Sequence, residues 1–230
     1  HAVLAASLAA LAAFGVARVA GADAEWLGAG QLPFSVVLVL LGAAWVDLWL
    51  SEPAVGAVDA TGPAAALAVA GALRTRPPRV LAVDVVLAGA GDGPALGMHA
   101  FVAARRRRVR AEDVAVLHLD PCAAGTPAWV EREGRLLPLG FHAQLRRLAA
   151  ATARDETHLG AAGRVSRGES GALVARRRRW PALALGCLDG DSHPGAAVDR
   201  AALRGGIELA LGVVARLDAD LAEHPARGPR

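Results

Sequence analysis

Three aspartates and one histidine stand beside apolar runs, at places where an α/β protein usually carries its chemistry. They are Asp59, before an alanine-rich segment, Asp92, after VLAVDVVLAGAG, Asp120, after VAVLHL, and His193, after ALALGCL. Because sites in such folds lie at the carboxyl ends of strands, we expect these side chains to converge at one edge of a sheet. Carboxylate oxygens and imidazole nitrogens suit Zn²⁺, and two such sites side by side would form a two-metal hydrolytic centre.

Two further side chains have a chemical and a structural interpretation. His118 alternates with Asp120 on its expected strand, so it would share the same face and support that ligand from behind. Ser170 lies in GESGA, which approaches the G-x-S-x-G nucleophile elbow of serine hydrolases. The elbow's last glycine is replaced by Ala172, and the preceding RVSRGE is polar where the elbow follows an apolar strand. The sequence therefore favours the metal site over the serine nucleophile.

The elements that must position these residues alternate along the chain. The apolar run Val80 to Ala88 predicts a central buried strand, and Gly89, Gly91 and Gly93 predict a tight turn into a helix. Pro94 stands where a dinucleotide fingerprint needs its last glycine, which excludes that motif. Other strands are expected at 114–119 and 182–188, a polar hairpin at 128–138, and helices at 64–73, 141–154 and 200–221. The pattern predicts an α/β fold with a mixed, mostly parallel sheet and helices on both faces.

Two long apolar stretches, 2–20 and 32–50, precede this pattern and are joined by a polar, glycine-rich turn. Their length and composition predict a transmembrane hairpin, and the alternative is a pair of buried core helices. A cleaved signal peptide is disfavoured because no basic segment precedes the first stretch. We therefore expect an apolar helical hairpin at 1–53, a globular domain at 54–222 and a disordered tail at 223–230.

Charge and cysteine content narrow the function classes. All 25 basic residues are arginine, and the net charge is only +3. The arginine runs at 105–108 and 176–179 lack interleaved aromatic residues, so we expect solvated or membrane-surface charge and no nucleic-acid partner. Cys122 and Cys187 fit neither a disulfide framework nor a thiolate zinc site, and each is expected to pack as a small apolar residue.

The order of these segments resembles the M28 family of zinc aminopeptidases, in particular a membrane-associated actinobacterial branch. VDATG resembles the family's loop whose acid bridges two zinc ions, which would be Asp59, and VAVLHLDP resembles the strand whose Asp binds one zinc, here Asp120. DVVLAGAGDG resembles the strand with the Glu-Glu motif, where Asp92 takes the ligand position. ALALGCLDGDSH resembles the closing strand and its metal-binding His193. The resemblance implies a zinc-exopeptidase-like fold, one or two zinc ions, peptide substrates and a bacterial cell membrane location.

The departures from that family concern catalysis. Gly91 stands where the family has the glutamate that takes a proton from the metal-bound water, and glycine has no group that accepts one. The family's first zinc-binding histidine has no counterpart in this chain. The resemblance therefore implies an M28-like metallopeptidase domain with impaired or lost catalysis. The alternatives are an active peptidase that is completed by an upstream segment and a non-catalytic, membrane-tethered interaction module on the same fold.

Overall fold

The structure is a computed structural model that describes residues 2–21, 25–50, 60–89, 95–134, 138–188 and 197–223. The chain divides into two compact units, His1–Pro53 and Ala54–Arg230. Unit 1 carries the apolar helices, and unit 2 carries the sheet and every described residue of the predicted site. Each unit is described separately below.

Unit 1 consists of two apolar helices, α1 (Ala2–Val19) and α2 (Glu25–Leu50), that pack on each other. The Phe14 ring of α1 makes an edge contact with the Trp26 ring, with the two ring centroids 6.5 Å apart. The centroid of the Phe14 ring lies 6.1 Å from that of the Phe34 ring. Of the described helices, one is long and apolar enough to cross a membrane, over Trp26–Val46, whereas Val3–Val19 is a shorter apolar helix. Both helices lie where the sequence predicts apolar helices, and a signal sequence would meet the same criterion of length and composition, so the transmembrane hairpin stays a prediction.

Unit 2 is built on a mixed five-stranded sheet. β1 pairs in parallel with β5, β2 pairs antiparallel with β5 and β3, and β4 pairs in parallel with β2. Ala128 of β2 is opposite both Gly186 of β5 and Ala162 of β4, so β5 and β4 lie on its two edges. The strands are β1 (Val116–Leu119), β2 (Thr126–Glu133), β3 (Leu139–Gly140), β4 (Ala162–Ser166) and β5 (Ala182–Leu188).

Helices cover both faces of this sheet, and the predicted α/β class is confirmed. Successive residues Ala182 to Leu185 of β5 are all buried, and because they point alternately to opposite faces, both faces must be covered. α7 packs on β2 and β5 with α3 and α5 beside it, and α6 packs on β1 and β5 with α4 beside it. The helices are α3 (Thr61–Thr75), α4 (Leu96–Arg105), α5 (Ala143–Asp155), α6 (Gly171–Arg177) and α7 (Arg200–Glu223).

The predicted central strand at 80–88 is wrong. Residues 81–88 form no strand, and the apolar side chains of this run are 41–59% exposed at Val80, Val83, Val85, Val86 and Leu87. A strand needs a neighbouring edge that takes up its N–H and C=O groups, and no described strand pairs with this run. The backbone is held at the start of the run instead, where Asp218 accepts the N–H groups of residues 79–81. The centre of the sheet is formed by β5 and β2.

The expectation that the two cysteines pack as separate small residues is also wrong. Cys122 and Cys187 form a disulfide, with their Cα atoms 4.6 Å apart. They are separated by 65 residues in sequence. Parallel pairing of β1 with β5 brings them together, because one follows the end of β1 and the other lies near the end of β5. Spacing along the chain carries no sign of that contact.

Candidate functional site

Asp120 lies immediately after β1, at the carboxyl end of that strand, as predicted. Its N–H donates to the Leu185 carbonyl of β5 at 2.8 Å, so the residue continues the pairing of β1 with β5 by one position. One carboxylate oxygen, Oδ1, lies 3.0 Å from Nε2 of His118. The two side chains are 28% and 33% exposed, respectively, so a solute can reach them. Among the described residues, the other oxygen, Oδ2, has no hydrogen-bond partner.

Two elements, α3 and β5, come close to Asp120. The Cys122 N–H donates to Oγ1 of Thr61 at 2.8 Å, which ties the first residue of α3 to the segment after β1. A Cβ on Gly62 would lie 2.8 Å from the Leu119 carbonyl oxygen, and a Cβ on Gly186 would lie 2.9 Å from the Asp120 Cβ. Glycine is therefore what lets α3 and β5 come this near. A cavity of about 10 Å³ remains beside Asp120, about enough for the centre of one water molecule.

A second pair of polar side chains, Glu133 and Ser170, lies near His118. Glu133, at the end of β2 and 2% exposed, accepts a hydrogen bond from the Ser170 hydroxyl at 2.6 Å and from the Ser170 N–H at 3.1 Å. Ser170 caps α6, since its hydroxyl oxygen accepts the Leu173 N–H at 3.4 Å. A Cβ on Gly171 would lie 3.0 Å from Nδ1 of His118. Glu133 thus fixes the start of α6, and α6 lies against the imidazole.

The pKa values of His118 and Glu133 are both raised above their ordinary values. Burial lowers the pKa of His118, but the hydrogen bond to Asp120 and the charges of Asp120 and Glu133 raise it, and the net pKa is above the ordinary value. Burial raises the pKa of Glu133, the charge of Asp120 adds to this, and the Ser170 hydrogen bonds oppose it. The His118 shift thus comes from its two neighbouring carboxylates, whereas the Glu133 shift comes first from burial.

The structure brings two of the predicted site residues into contact and does not describe the others. Asp120 and His118 are in contact, in the arrangement that the sequence predicts. Asp59, Asp92 and His193, with Gly91, lie outside the described residues. In the described ranges, no group of three or more His, Cys, Asp or Glu side chains is placed to hold a metal ion. A complete ligand set therefore remains a prediction.

The sequence does not predict Glu133 as part of the site, and it does not indicate the role of Ser170. Ser170 donates its hydroxyl to Glu133, while His118 Nε2 is bonded to Asp120, so the arrangement of the described side chains is not that of a serine hydrolase triad. Glu169 forms an ion pair with Arg177 at 2.9 Å. The polar composition of RVSRGES is a partial signal for such a contact, because the backbone groups of a polar loop need hydrogen-bond partners. Nothing in the sequence identified Glu133 as that partner.

Comparison with known proteins identifies no family for this chain. No protein-family profile matches the chain, and no curated protein matches it. Among solved structures, an M18-family aminopeptidase from Thermotoga maritima is similar over 45% of this chain and 29% of its own length. The sequence identity is 17%, and the TM-score is 0.35, which does not establish a shared fold. The resemblance to M28 peptidases stays a prediction.

Proposed function

We propose that residues 54–222 form a metallopeptidase-like domain that binds Zn²⁺ at the carboxyl ends of β1 and β5, with impaired or lost hydrolysis. The observation that supports this most is the position of Asp120. Its backbone lies against the first turn of α3, which follows Asp59 in the chain, and its Cβ lies against Gly186 of β5, the strand that leads to His193. Parallel β1 and β5 present their carboxyl ends at this same edge, which is where α/β folds bind ligands.

Chain connectivity limits how far the remaining candidate ligands can be from this edge. Asp59 precedes Thr61 by two residues in the chain, and Thr61 binds the Cys122 N–H two residues beyond Asp120. The segment containing Asp92 is flanked by Gly89 and Gly97, and the Gly97 N–H donates to the Gly89 carbonyl at 3.1 Å. The helix that it enters, α4, carries Met98, which packs near Gly171 beside His118. These constraints support a common site.

Asp120 is the one proposed ligand among the described residues, and a carboxylate oxygen is a ligand that zinc accepts. Asp120 offers Oδ2 as a ligand while His118 holds Oδ1, and metal-binding carboxylates are commonly held by such a neighbouring hydrogen bond. When bound, Zn²⁺ would lower the pKa of a water molecule to about 7 and polarise a peptide carbonyl. The chain's own part is to hold the metal through Asp120, with Asp59, Asp92 and His193 as proposed partners. Gly91 accepts no proton, so the usual base is missing.

Metal content tests the proposal directly. The full chain, purified without chelator and without added zinc, is examined by elemental mass spectrometry beside Asp120→Ala. Asp113→Ala is the matched control, because Asp113 is an exposed acid whose only described partner is Arg110 at 4.0 Å. We expect about one or two zinc ions per chain, lost in Asp120→Ala and kept in Asp113→Ala. Equal metal content in all three proteins, or none in the wild type, would refute the site.

A second candidate is a non-catalytic, membrane-tethered interaction module. It is favoured by the exposed apolar run at 80–87, which carries five exposed large aliphatic side chains and belongs to no strand. Exposed apolar patches often mark surfaces that bind other proteins. A chain without metal that forms a stable complex through this run would support the module. Loss of that complex in Val83→Asp, with an unchanged fold, is the expected sign.

A further inference from the structure

We infer that the Cys122–Cys187 disulfide fastens the carboxyl ends of β1 and β5 around Asp120, and that unit 2 therefore acquires its final structure in an oxidising compartment. The part that concerns metal binding rests on the proposed function. The part that concerns the strands and the compartment does not. Neither follows from the sequence, which predicts two unconnected cysteines.

The bridge lies directly beside the candidate ligand. Cys122 is two residues beyond Asp120, and Cys187 follows Gly186, the residue that packs on the Asp120 Cβ. Both cysteines are buried. Because they are the only cysteines in the sequence, the bridge uses every thiol that the chain contains. Any effect of a reductant on this protein therefore reports on this one bond.

The elements around the bridge offer little apolar packing to replace it. Cys122, Cys187 and Ala202 form a small buried cluster separate from the main core, with Leu203 packed against it. A Cβ on Gly206 of α7 would lie 2.7 Å from Sγ of Cys122, so the helix backbone rests on the bridge itself. Small side chains bury little area, and each buried CH₂ contributes only about 0.8 kcal/mol. The covalent bond supplies what apolar burial lacks here.

The backbone bonding at this edge is uneven. The Asp120 N–H donates to Leu185 at 2.8 Å, but the next bond outward, from the Cys187 N–H to the Pro121 carbonyl, is 3.4 Å long. A bond of that length is weak. The next described backbone bond between the segments that follow β1 and β5 joins the Asp199 N–H to the Ala123 carbonyl at 2.7 Å, and between these two bonds the disulfide is the covalent link. Opening the disulfide should therefore loosen the segment next to Asp120 before it affects the core.

Formation of the bridge is a two-electron oxidation and needs an acceptor. We assign this role to a disulfide of a thiol–disulfide oxidoreductase or of a small molecule. One cysteine thiolate attacks the acceptor disulfide and forms a mixed disulfide, and the second cysteine thiolate displaces the acceptor. The two thiols lose two protons and two electrons, and the acceptor disulfide takes them up and is reduced to two thiol groups. Cytosolic thiol systems keep such pairs reduced, so a buried, persistent bridge indicates an exported domain.

The test uses the full chain in two steps. First, thiols are trapped by acid and alkylated in whole cells that express the chain with α1 and α2. The inference expects no alkylation without prior reduction and two alkylated cysteines after it. Two free thiols in the unreduced sample would overturn the inference. Reduction adds no other change, because the sequence contains no further cysteine.

Second, amide hydrogen exchange compares the oxidised chain, the reduced chain and a Cys122→Ala/Cys187→Ala double variant. We expect reduction to accelerate exchange at Asp120 and Cys187 by about tenfold or more, while Leu145 in α5 is unaffected. The double variant should match the reduced chain and ignore reductant. Unchanged exchange at both amides would overturn the inference. Titration of the oxidised chain with Zn²⁺ alone tests the proposed function separately. If no zinc binds, the proposed function is refuted, and the hydrogen-exchange result still decides whether the disulfide fastens the strands.

Discussion

Asp218 of α7 anchors the chain segment that leads into the exposed apolar run. It is buried, and its Oδ2 accepts the Arg79 N–H at 2.8 Å, while Oδ1 accepts the Val80 and Leu81 N–H groups at 2.9 and 3.1 Å. One carboxylate thus binds three consecutive amides of a segment 137–139 residues away in sequence. Since that segment belongs to no strand, we predict that Asp218 is its main attachment.

The cost of removing this carboxylate can be worked from the contacts. A hydrogen bond to a charged group contributes about 1.5–3 kcal/mol. In Asp218→Asn the amide oxygen keeps two of the donors, but the amide nitrogen faces the remaining N–H, so we expect a loss of about 2–3 kcal/mol. Asp218→Ala frees three amides, and because the exposed ones gain water, we expect about 3–5 kcal/mol. For a domain of this size, each kcal/mol lowers the melting temperature by about 2–4 °C.

The pH dependence of Asp218 provides an independent check. Burial alone would raise its pKa, but the three N–H bonds and the charge of Arg79 lower it by more, so the net pKa is below the ordinary range. The unfolded chain then binds a proton more readily than the folded one. The stabilisation is present above the ordinary pKa of aspartate, near 3.9, and is lost as pH falls through the lowered value. Wild type and Asp218→Asn should therefore converge in stability under acid conditions.

Thermal and urea unfolding of the full chain at neutral and acid pH measures both effects. Glu223→Gln is the matched control, because it removes one negative charge from the same helix at an exposed position. It should change stability by less than about 0.5 kcal/mol. If Asp218→Asn is as stable as Glu223→Gln at neutral pH, the segment at 79–81 is not held by Asp218. A gap between wild type and Asp218→Asn that widens on acidification would contradict the assigned pKa direction.

Three further predictions follow from the site. Glu133→Ala should lower the free energy of unfolding by about 2–4 kcal/mol, because it leaves two Ser170 donors unpaired. Wild-type stability should fall as pH rises through the raised pKa of Glu133, and Glu133→Gln should remove this fall. Urea unfolding across pH measures both effects. Gly206→Ala should destabilise by about 1–3 kcal/mol in thermal unfolding by pushing α7 off the disulfide, while Gly71→Ala, with open space around it, should not. Gly91→Glu should raise hydrolysis of an aminoacyl reporter by about 10²–10⁴, and unchanged turnover in a zinc-loaded chain would contradict the assigned base position.

Part of the fold could be predicted because burial follows local composition. β5 was located at its observed bounds, 182–188, because an uninterrupted apolar run is what a strand covered on both faces requires. The run at 80–88 has the same composition, yet it is unpaired and exposed. Composition measures how well a segment suits a strand. It does not say whether an edge is available, which depends on residues far away in sequence.

The missed parts of the site depend on register and on long-range contact. Pairing of β2 with β4 shifts between Val130 and Arg132, so simple alternation along β2 cannot tell which face Glu133 occupies. The disulfide joins residues that only the pairing of β1 with β5 brings together. The contact between His118 and Asp120 could be predicted because they are two apart in sequence at one strand, where period two is sufficient, and their roles at a metal stay a prediction.

The elements around Asp120 share one property that explains why this edge needs extra fastening. α3, β5 and α7 each present a glycine at their closest approach, to a carbonyl, a Cβ and a sulfur atom, respectively. Glycine lets these backbones come close to the segment around Asp120, but it buries almost no apolar area, so the close approach contributes little of the usual source of stability. The disulfide and the Thr61 hydrogen bond to the Cys122 amide join these elements. This edge of the sheet is therefore held by a covalent bond and directed hydrogen bonds.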